Sequence, residues 1–337
     1  MRRGWVVGMA DIVRIDPHDE RALRAWFEVE QAAIRANAPQ ALSRTYGALA
    51  STVQHPSAYV DRPLLAAVDA GTTVGVAAVE LTKQDNLHLA ELAIHVHPGH
   101  RRRGVGRALH DAAEEIRRAA GRSTVVGELL VADGDTAPAG MGFARALGFS
   151  SVHQEEHLVL PLPVDPASLP RPPAGTAYEI VTWRGRCPDE HVEAFCRMRT
   201  QMERDVPVGE VAYQPPVIDE QRLRNQEERT GRAYHRVVAA ARRREDGEMA
   251  GYSVLFLARD DHEAIQDDTL VMPDHRGHRL GLRLKLATLD VLRREHPDRR
   301  MLHTWTDRDN HAMYRTNAAF GYRRAEVMHE MQREDPS

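Results

Sequence analysis

Val96-His97-Pro98-Gly99-His100-Arg101-Arg102-Arg103-Gly104-Val105-Gly106 is answered later in the chain by Val271-Met272-Pro273-Asp274-His275-Arg276-Gly277-His278-Arg279-Leu280-Gly281. The two stretches are offset by 175 residues and align without a gap. Each follows an apolar run that reads as a strand, and each opens an apolar-periodic run that reads as a helix. A strand, a tight turn of free backbone N–H groups and a helix N-terminus together make an anion site, most often for phosphate. Two such turns predict two copies of one phosphate-binding fold.

The 337 residues are enough for two domains, each with its own core. A hydrophobic content of 42% and a charged content of 28% are those of a soluble globular protein. The net charge of −4 argues against nucleic acid held by a global basic field. Cys187 and Cys196 are too few for a disulfide scaffold or a zinc cluster, and a cytoplasmic location is expected. No apolar run approaches the roughly 20 residues of a membrane span, so no membrane partner is expected. Residues 1–9 are basic and then briefly apolar, too short for a signal peptide. They read as a disordered leader, with Met9 an alternative start.

Six prolines between Pro161 and Pro173 exclude a helix or central strand there and predict an extended linker. The expected organisation is therefore a first domain over 10–160, a linker over 161–175 and a second domain over 176–337. In the first, Asp11 to Ile15 reads as a strand and Asp16-Pro17 as the cap of a helix carrying Leu23, Trp26, Phe27 and Ile34. A hairpin over Leu64 to Val68 and Val74 to Leu81 precedes a strand over Leu87 to Val96. That strand changes phase, which predicts a β-bulge near Ala90 to Leu92. A helix from Val105, a strand from Val125, a short helix ending at Gly148-Phe149 and a strand over His157 to Leu160 complete the domain. The second half repeats the order and closes with a strand over Ala325 to Met331. The predicted fold class is α/β, an α+β mixed sheet flanked by helices, built twice in tandem.

The first turn is Arg-x-x-Gly-x-Gly, from Arg101 to Gly106. It lacks the third glycine of a dinucleotide fingerprint and the Gly-Lys-Ser/Thr of a P-loop. With Val96-His97-Pro98 before it, and with Gly148-Phe149 or Gly321-Tyr322 later in each half, it resembles the GCN5-related N-acetyltransferase family. The resemblance covers both halves, like the two-domain actinobacterial members of which mycothiol synthase is an example.

That resemblance implies acetyl-CoA as acyl donor. Its pyrophosphate would lie on Arg101, Arg102, Arg103, Gly104, Val105 and Gly106, and again on Arg276, Gly277, His278, Arg279, Leu280 and Gly281. Ile94 and Val96, and Thr269 and Val271, would line its arm, with Asn310 contacting it at the start of the last helix. A bulge N–H would polarise the thioester carbonyl. The second turn departs from the pattern, because Arg279 stands in the place of Gly104. The family's carboxylate base maps onto Glu91, whose counterpart is Gln266, with Asp267 and Asp268 beside it. The family's proton-donating tyrosine is Ala144 in the first half and Asn317 in the second, with Tyr314 one helical turn away.

The second half is therefore expected to be the catalytic one. The expected reaction is direct attack of a small-molecule primary amine on acetyl-CoA in a ternary complex. The alternative is a CoA-binding pseudoenzyme acting as a sensor or partner-binding module. Asp260, Asp261, Glu263, Asp267 and Asp268 suit a cationic amine, but read first as a solvated loop. His95, His97 and His100 supply no closed metal set. A monomer or a homodimer is expected.

Overall fold

The computed structural model describes residues 10–136, 138–172, 177–207 and 209–335. The expected leader and residues 173–176 of the proline-rich stretch lie outside the described residues. The chain forms two compact units, one of residues 1–155, 208–214 and 325–337, the other of residues 156–207 and 215–324.

The first unit opens with β1 (Asp11–Arg14) and α1 (Glu20–Asn37). The cap is Asp19, whose carboxylate accepts from the Ala22 N–H at 3.0 Å. Asp16 instead shapes the turn before it, accepting from His18 N–H at 2.9 Å. Leu23, Trp26, Val29 and Ala33 are buried along one helix face, and the Trp26 indole donates to the Leu65 carbonyl at 2.9 Å. The short α2 (Tyr46–Gln54) buries only Ala48 and Leu49, too narrow a stripe to show as helical periodicity in the sequence.

Then follow β2 (Val60–Asp61), β3 (Leu64–Asp69), β4 (Thr72–Thr82), β5 (Leu89–Val96), α3 (Val105–Ala119), β6 (Thr124–Ala132) and α4 (Ala139–Ala146). The strand order is β1-β3-β4-β5-β6, with β2 against β4, and β5–β6 is the parallel pair. Val105, Leu109 and Ala113 of α3 pack on one sheet face. On the other face, α1 and α2 pack over Leu64, Ala66 and Val76.

β7 (Ser150–Pro161) then passes from the first unit into the second at Glu156. The second unit holds β8 (Tyr178–Arg184), α5 (Val192–Asp205), α6 (Glu220–Ala233), β9 (Tyr234–Arg243), β10 (Met249–Ala258), β11 (Glu263–Val271), α7 (Leu280–Glu295), β12 (Met301–Asp307) and α8 (His311–Phe320). Its strand order is β7-β12-β11-β10-β9-β8, with β11–β12 parallel. α5 packs on one face through Phe195 and Met198 against Tyr252 and Val254. α7 covers the other through Leu284, Leu289 and Leu292.

The strands expected to close each half are exchanged. From Glu156 onward β7 lies in the second unit, beside β12. β13 (Arg323–Glu334) instead joins the first unit, antiparallel to β6 from Glu326↔Ala132 to Glu334↔Thr124. Alternation marks a strand but not the sheet edge it joins, and a tandem repeat offers two similar edges. The proline-rich stretch is also more than a spacer. Leu162, Val164 and Leu169 pack on the second unit's core beside Leu160 and Leu257, with one 3-10 turn at Pro166–Ser168.

Candidate active site

After β5 and after β11 the backbone takes the same path. A 3-10 turn, Pro98–His100 or Pro273–His275, is followed by two left-handed residues two positions apart. They are Arg102 (φ 62°) and Gly104 (φ 83°) in the first turn, and Gly277 (φ 86°) and Arg279 (φ 55°) in the second. Each turn has one glycine and one arginine at these positions, in opposite order. Left-handed backbone costs an L-residue roughly 1–2 kcal/mol, so one arginine is tolerated in either place. The Arg279 departure therefore leaves the turn's shape intact, and its side chain is exposed. The first turns of α3 and α7 carry neither a side-chain cap nor an acidic residue, so their leading N–H groups and dipole ends suit an anion.

Arg101 and Arg276 have a second role. Arg101 donates to the Val96 carbonyl at 3.3 Å and to Asn37 at 3.0 Å. Arg276 donates to the Val271 carbonyl at 3.3 Å and to Asp205 at 2.7 Å. Asn37 and Asp205 are the last residues of α1 and α5. Both arginines thus latch the turn to its own strand and to the helix behind it. Exposed pairs of this kind contribute about 1 kcal/mol or less. Arg276→Ala is accordingly expected to cost no more than about 1 kcal/mol of stability, read by denaturant titration.

Val105 and Leu280 are buried in the core, so only their backbone can face a ligand. Arg102, Arg103, His278 and Arg279 are exposed around the turns. A Cβ on Gly106 would lie 3.2 Å from the Phe143 ring and 3.6 Å from Val96. A Cβ on Gly281 would meet only the Thr269 and Val271 methyls, both at 3.9 Å. Ile94 and Val96 pack on α3, and Thr269 lies beside Gly281.

The parallel strands pair only at one end. The β5–β6 ladder ends at Glu91↔Val126 and the β11–β12 ladder at Ile265↔His303, although all four strands continue. The bulge expected near Ala90 to Leu92 is absent, because β4–β5 pairing runs unbroken from Gly75↔Val96 to Leu81↔Ala90. The apparent phase change came from Leu87, which lies outside the strand; Ala90, Leu92, Ile94 and Val96 share the α3 face. A bulge is present in the second unit. There β10–β11 pairing shifts between Ser253↔Thr269 and Leu255↔Gln266, so Asp267 and Asp268 together oppose Val254.

That extra residue changes which side chains correspond. Gln266 turns to the α7 face, donating to Ser253 at 2.9 Å and accepting from Thr288 at 3.2 Å. Asp268 turns to the α5 face, where Tyr252 donates to it at 2.9 Å and Arg199 lies 3.6 Å away. Glu91, at the last rung of its ladder, corresponds in space to Ile265 rather than to Gln266.

The two aspartates are not equivalent. Asp268 is engaged by Tyr252 and Arg199. Asp267 is exposed at the surface, and the protein packed beside its carboxyl thins its hydration. That desolvation, and then the charge of Asp268, push its pKa up to about 7, against the opposing pull of Arg199. In the first unit Glu91 is exposed, yet desolvation by the protein beside it, and then the charges of Glu80 and Glu128, push its pKa up to about 8. Register places these groups on one face, with Glu80 opposite Glu91 and Glu128 opposite Glu330. Arg62 pairs with Glu80 at 2.5 Å and pulls Glu91 the other way.

Asn310 caps α8, accepting from Met313 N–H at 3.1 Å. Tyr314 is 44% exposed. Asn317 is fully buried, accepting from Lys285 Nζ at 2.6 Å and donating to Thr306 at 2.8 Å. Lys285 was not singled out from the sequence. The available signal was a lone lysine between Leu284 and Leu286, at the repeat position of His110. A second network was also missed, because its members come from three strands. Glu263 accepts from His303 Nε2 at 2.7 Å, which leaves His303 Nδ1 to accept from His157 Nε2 at 2.9 Å. His157 also stacks on Trp305, with ring centroids 4.7 Å apart. Among the described residues, no group of three His, Cys, Asp or Glu side chains is placed to hold a metal ion.

Compared with known proteins, residues 6–149 and 200–322 match the model of the Acetyltransferase (GNAT) family. The chain belongs to that family. Among solved structures it is similar to a tandem GNAT protein from the clavulanic acid biosynthesis pathway, solved without AcCoA. The identity is 26%, the TM-score is 0.83, and the match covers 97% of this chain and 99% of that one. A GCN5-related N-acetyltransferase from Sphaerobacter thermophilus shares the fold at 16% identity and TM-score 0.68, over 96% of this chain and 95% of that one. Saccharomyces cerevisiae N-myristoyltransferase, solved with bound myristoyl-CoA, shares it at 8% identity and TM-score 0.59, over 98% and 80%. No curated protein matches the sequence. The protein is thus a tandem GNAT protein with a mixed sheet in each unit. Among its described residues no helix is long and apolar enough to cross a membrane.

Proposed function

We propose that this GNAT protein transfers an acetyl group from acetyl-CoA to a primary amine of a small molecule, and that the second unit performs the chemistry. The observation that carries this reading is the bulge at Asp267–Asp268, set where β11 leaves β12 and approached from an uncrowded turn at Gly281. Backbone N–H groups around Gly277 to Gly281 would hold the pyrophosphate. The unpaired stretch of β11 would accept the pantetheine arm, and a bulge N–H would face the thioester carbonyl. Asp267 would take the proton released by the attacking amine. Its pKa, raised to about 7, suits a base that works near neutrality. An amine is nucleophilic once neutral, so no side chain need be acylated.

The test is a coenzyme A release screen across polyamines, aminoglycosides, amino acids and peptide N-termini. Release with at least one class supports the reading. Tight acetyl-CoA binding without release over the whole panel would favour the pseudoenzyme alternative. A second reading, in which the first unit is also active, is favoured by Glu91 and its raised pKa. It predicts that Gly106→Glu removes part of the turnover.

A further inference from the structure

The departing sulfur of the acyl donor needs a proton, and the second unit has asparagine where the resemblance places tyrosine. Asn317 is itself held by Lys285 at 2.6 Å. Gly281, Lys285 and Thr288 lie four and three residues apart on α7, so they form one stripe on one helix face. Gly281 marks the phosphate end of that stripe. Thr288 marks the other end, through its bond to Gln266 beside the point where β11 and β12 part. Lys285 lies between them on that face, along the path that the proposed function gives the acyl donor.

Its surroundings suit a group that gives up a proton. Lys285 is 3% exposed and has no carboxylate partner among the described residues. Asn317 accepts one ammonium hydrogen, and an ammonium has three to give. No charged side chain contributes to its titration; burial alone brings its pKa down to about 7. The titratable ring beside it, Tyr322 at 5.6 Å, is pushed upward by its own burial.

On the basis of the proposed acetyl transfer, we propose that Lys285 is the proton donor to the leaving sulfur of the acyl-CoA in the second unit. The step balances. The amine nitrogen bonds the acyl carbon and loses its surplus proton to Asp267, the C–S bond breaks, and sulfur takes a proton from the Lys285 ammonium. Asp267 and Lys285 then exchange protons with solvent, leaving amide and thiol.

The test uses coenzyme A itself as the probe, so no acceptor need be known. Thiolate absorbance of bound coenzyme A is titrated in the wild type, Lys285→Met and Lys285→Arg, with Gly106→Glu in each background to confine binding to the second unit. Thermal melts confirm that each variant folds. Near pH 7.5 the bound wild type is expected to show at least about tenfold more thiolate than Lys285→Met, because an ammonium charge beside sulfur lowers the thiol's pKa by about one unit or more. Lys285→Arg, which keeps the charge but cannot release a proton, is expected to retain the thiolate. If Lys285→Met leaves the thiol titration unchanged, or if the only Lys285 variant that folds does so, the proposal is overturned. Absence of coenzyme A binding in the Gly106→Glu parent would instead sink the underlying reading of the second unit.

Discussion

Gly281→Glu is expected to abolish turnover while leaving the protein folded. A Cβ at this position has 3.9 Å to its nearest neighbours, so the backbone need not move. The new carboxylate would enter the space where the α7 dipole and free N–H groups favour an anion, and it would repel the pyrophosphate there. Like charges brought together cost several kcal/mol, and about 3 kcal/mol corresponds to a loss of roughly 100-fold. Gly281→Ala, which adds the Cβ without the charge, should retain most activity. The measurement is kcat/KM for acetyl-CoA in the three proteins, with melting temperatures alongside. Full activity in Gly281→Glu would move the chemistry to the first unit.

Exchanging carboxylate for amide should separate the two aspartates of the bulge. General-base catalysis contributes about 10²–10⁴-fold, so Asp267→Asn is expected to lower kcat by at least about 100-fold. Because a base acts deprotonated, wild-type activity should fall on the acid side of about 7, and Asp267→Asn should lose that limb. Stability should move the other way. The folded-state pKa lies above the ordinary aspartate range, so the native state keeps a proton that the unfolded chain has already released as pH rises from that range to about 7. Stability contributed by this group is therefore present at low pH and lost across that window. At pH 8, Asp267→Asn should then melt slightly above the wild type. Asp268→Asn disturbs the bond from Tyr252 and the charge facing Arg199, and should instead lower the melting temperature. Equal loss of activity in both variants, with neither pH limb altered, would contradict the division of roles.

The repeated turn, and with it the tandem family, was legible in the sequence. Glycine and arginine at fixed spacing before an apolar helix are local signals, and the turn's backbone is local too. The bulge was not placed correctly. An alternation of four or five residues cannot tell a bulge from a strand that starts later, here at Leu89 rather than Leu87. The real bulge changed the correspondence of Glu91 by one residue, which a gapless alignment conceals. Strand exchange was invisible for a related reason: β7 and β13 carry patterns that fit either sheet. Lys285, His303 and His157 were missed because their roles depend on partners from distant strands and helices. Only the lysine inside a leucine-rich helix gave a local hint.

The most direct test of the central claim is diffraction from crystals soaked with acetyl-CoA. The account predicts pyrophosphate density against the backbone nitrogens of Gly277 to Gly281, with the thioester carbonyl at the Asp267–Asp268 bulge. Donor bound in the first unit alone, with the second turn unoccupied at saturating concentration, would contradict it.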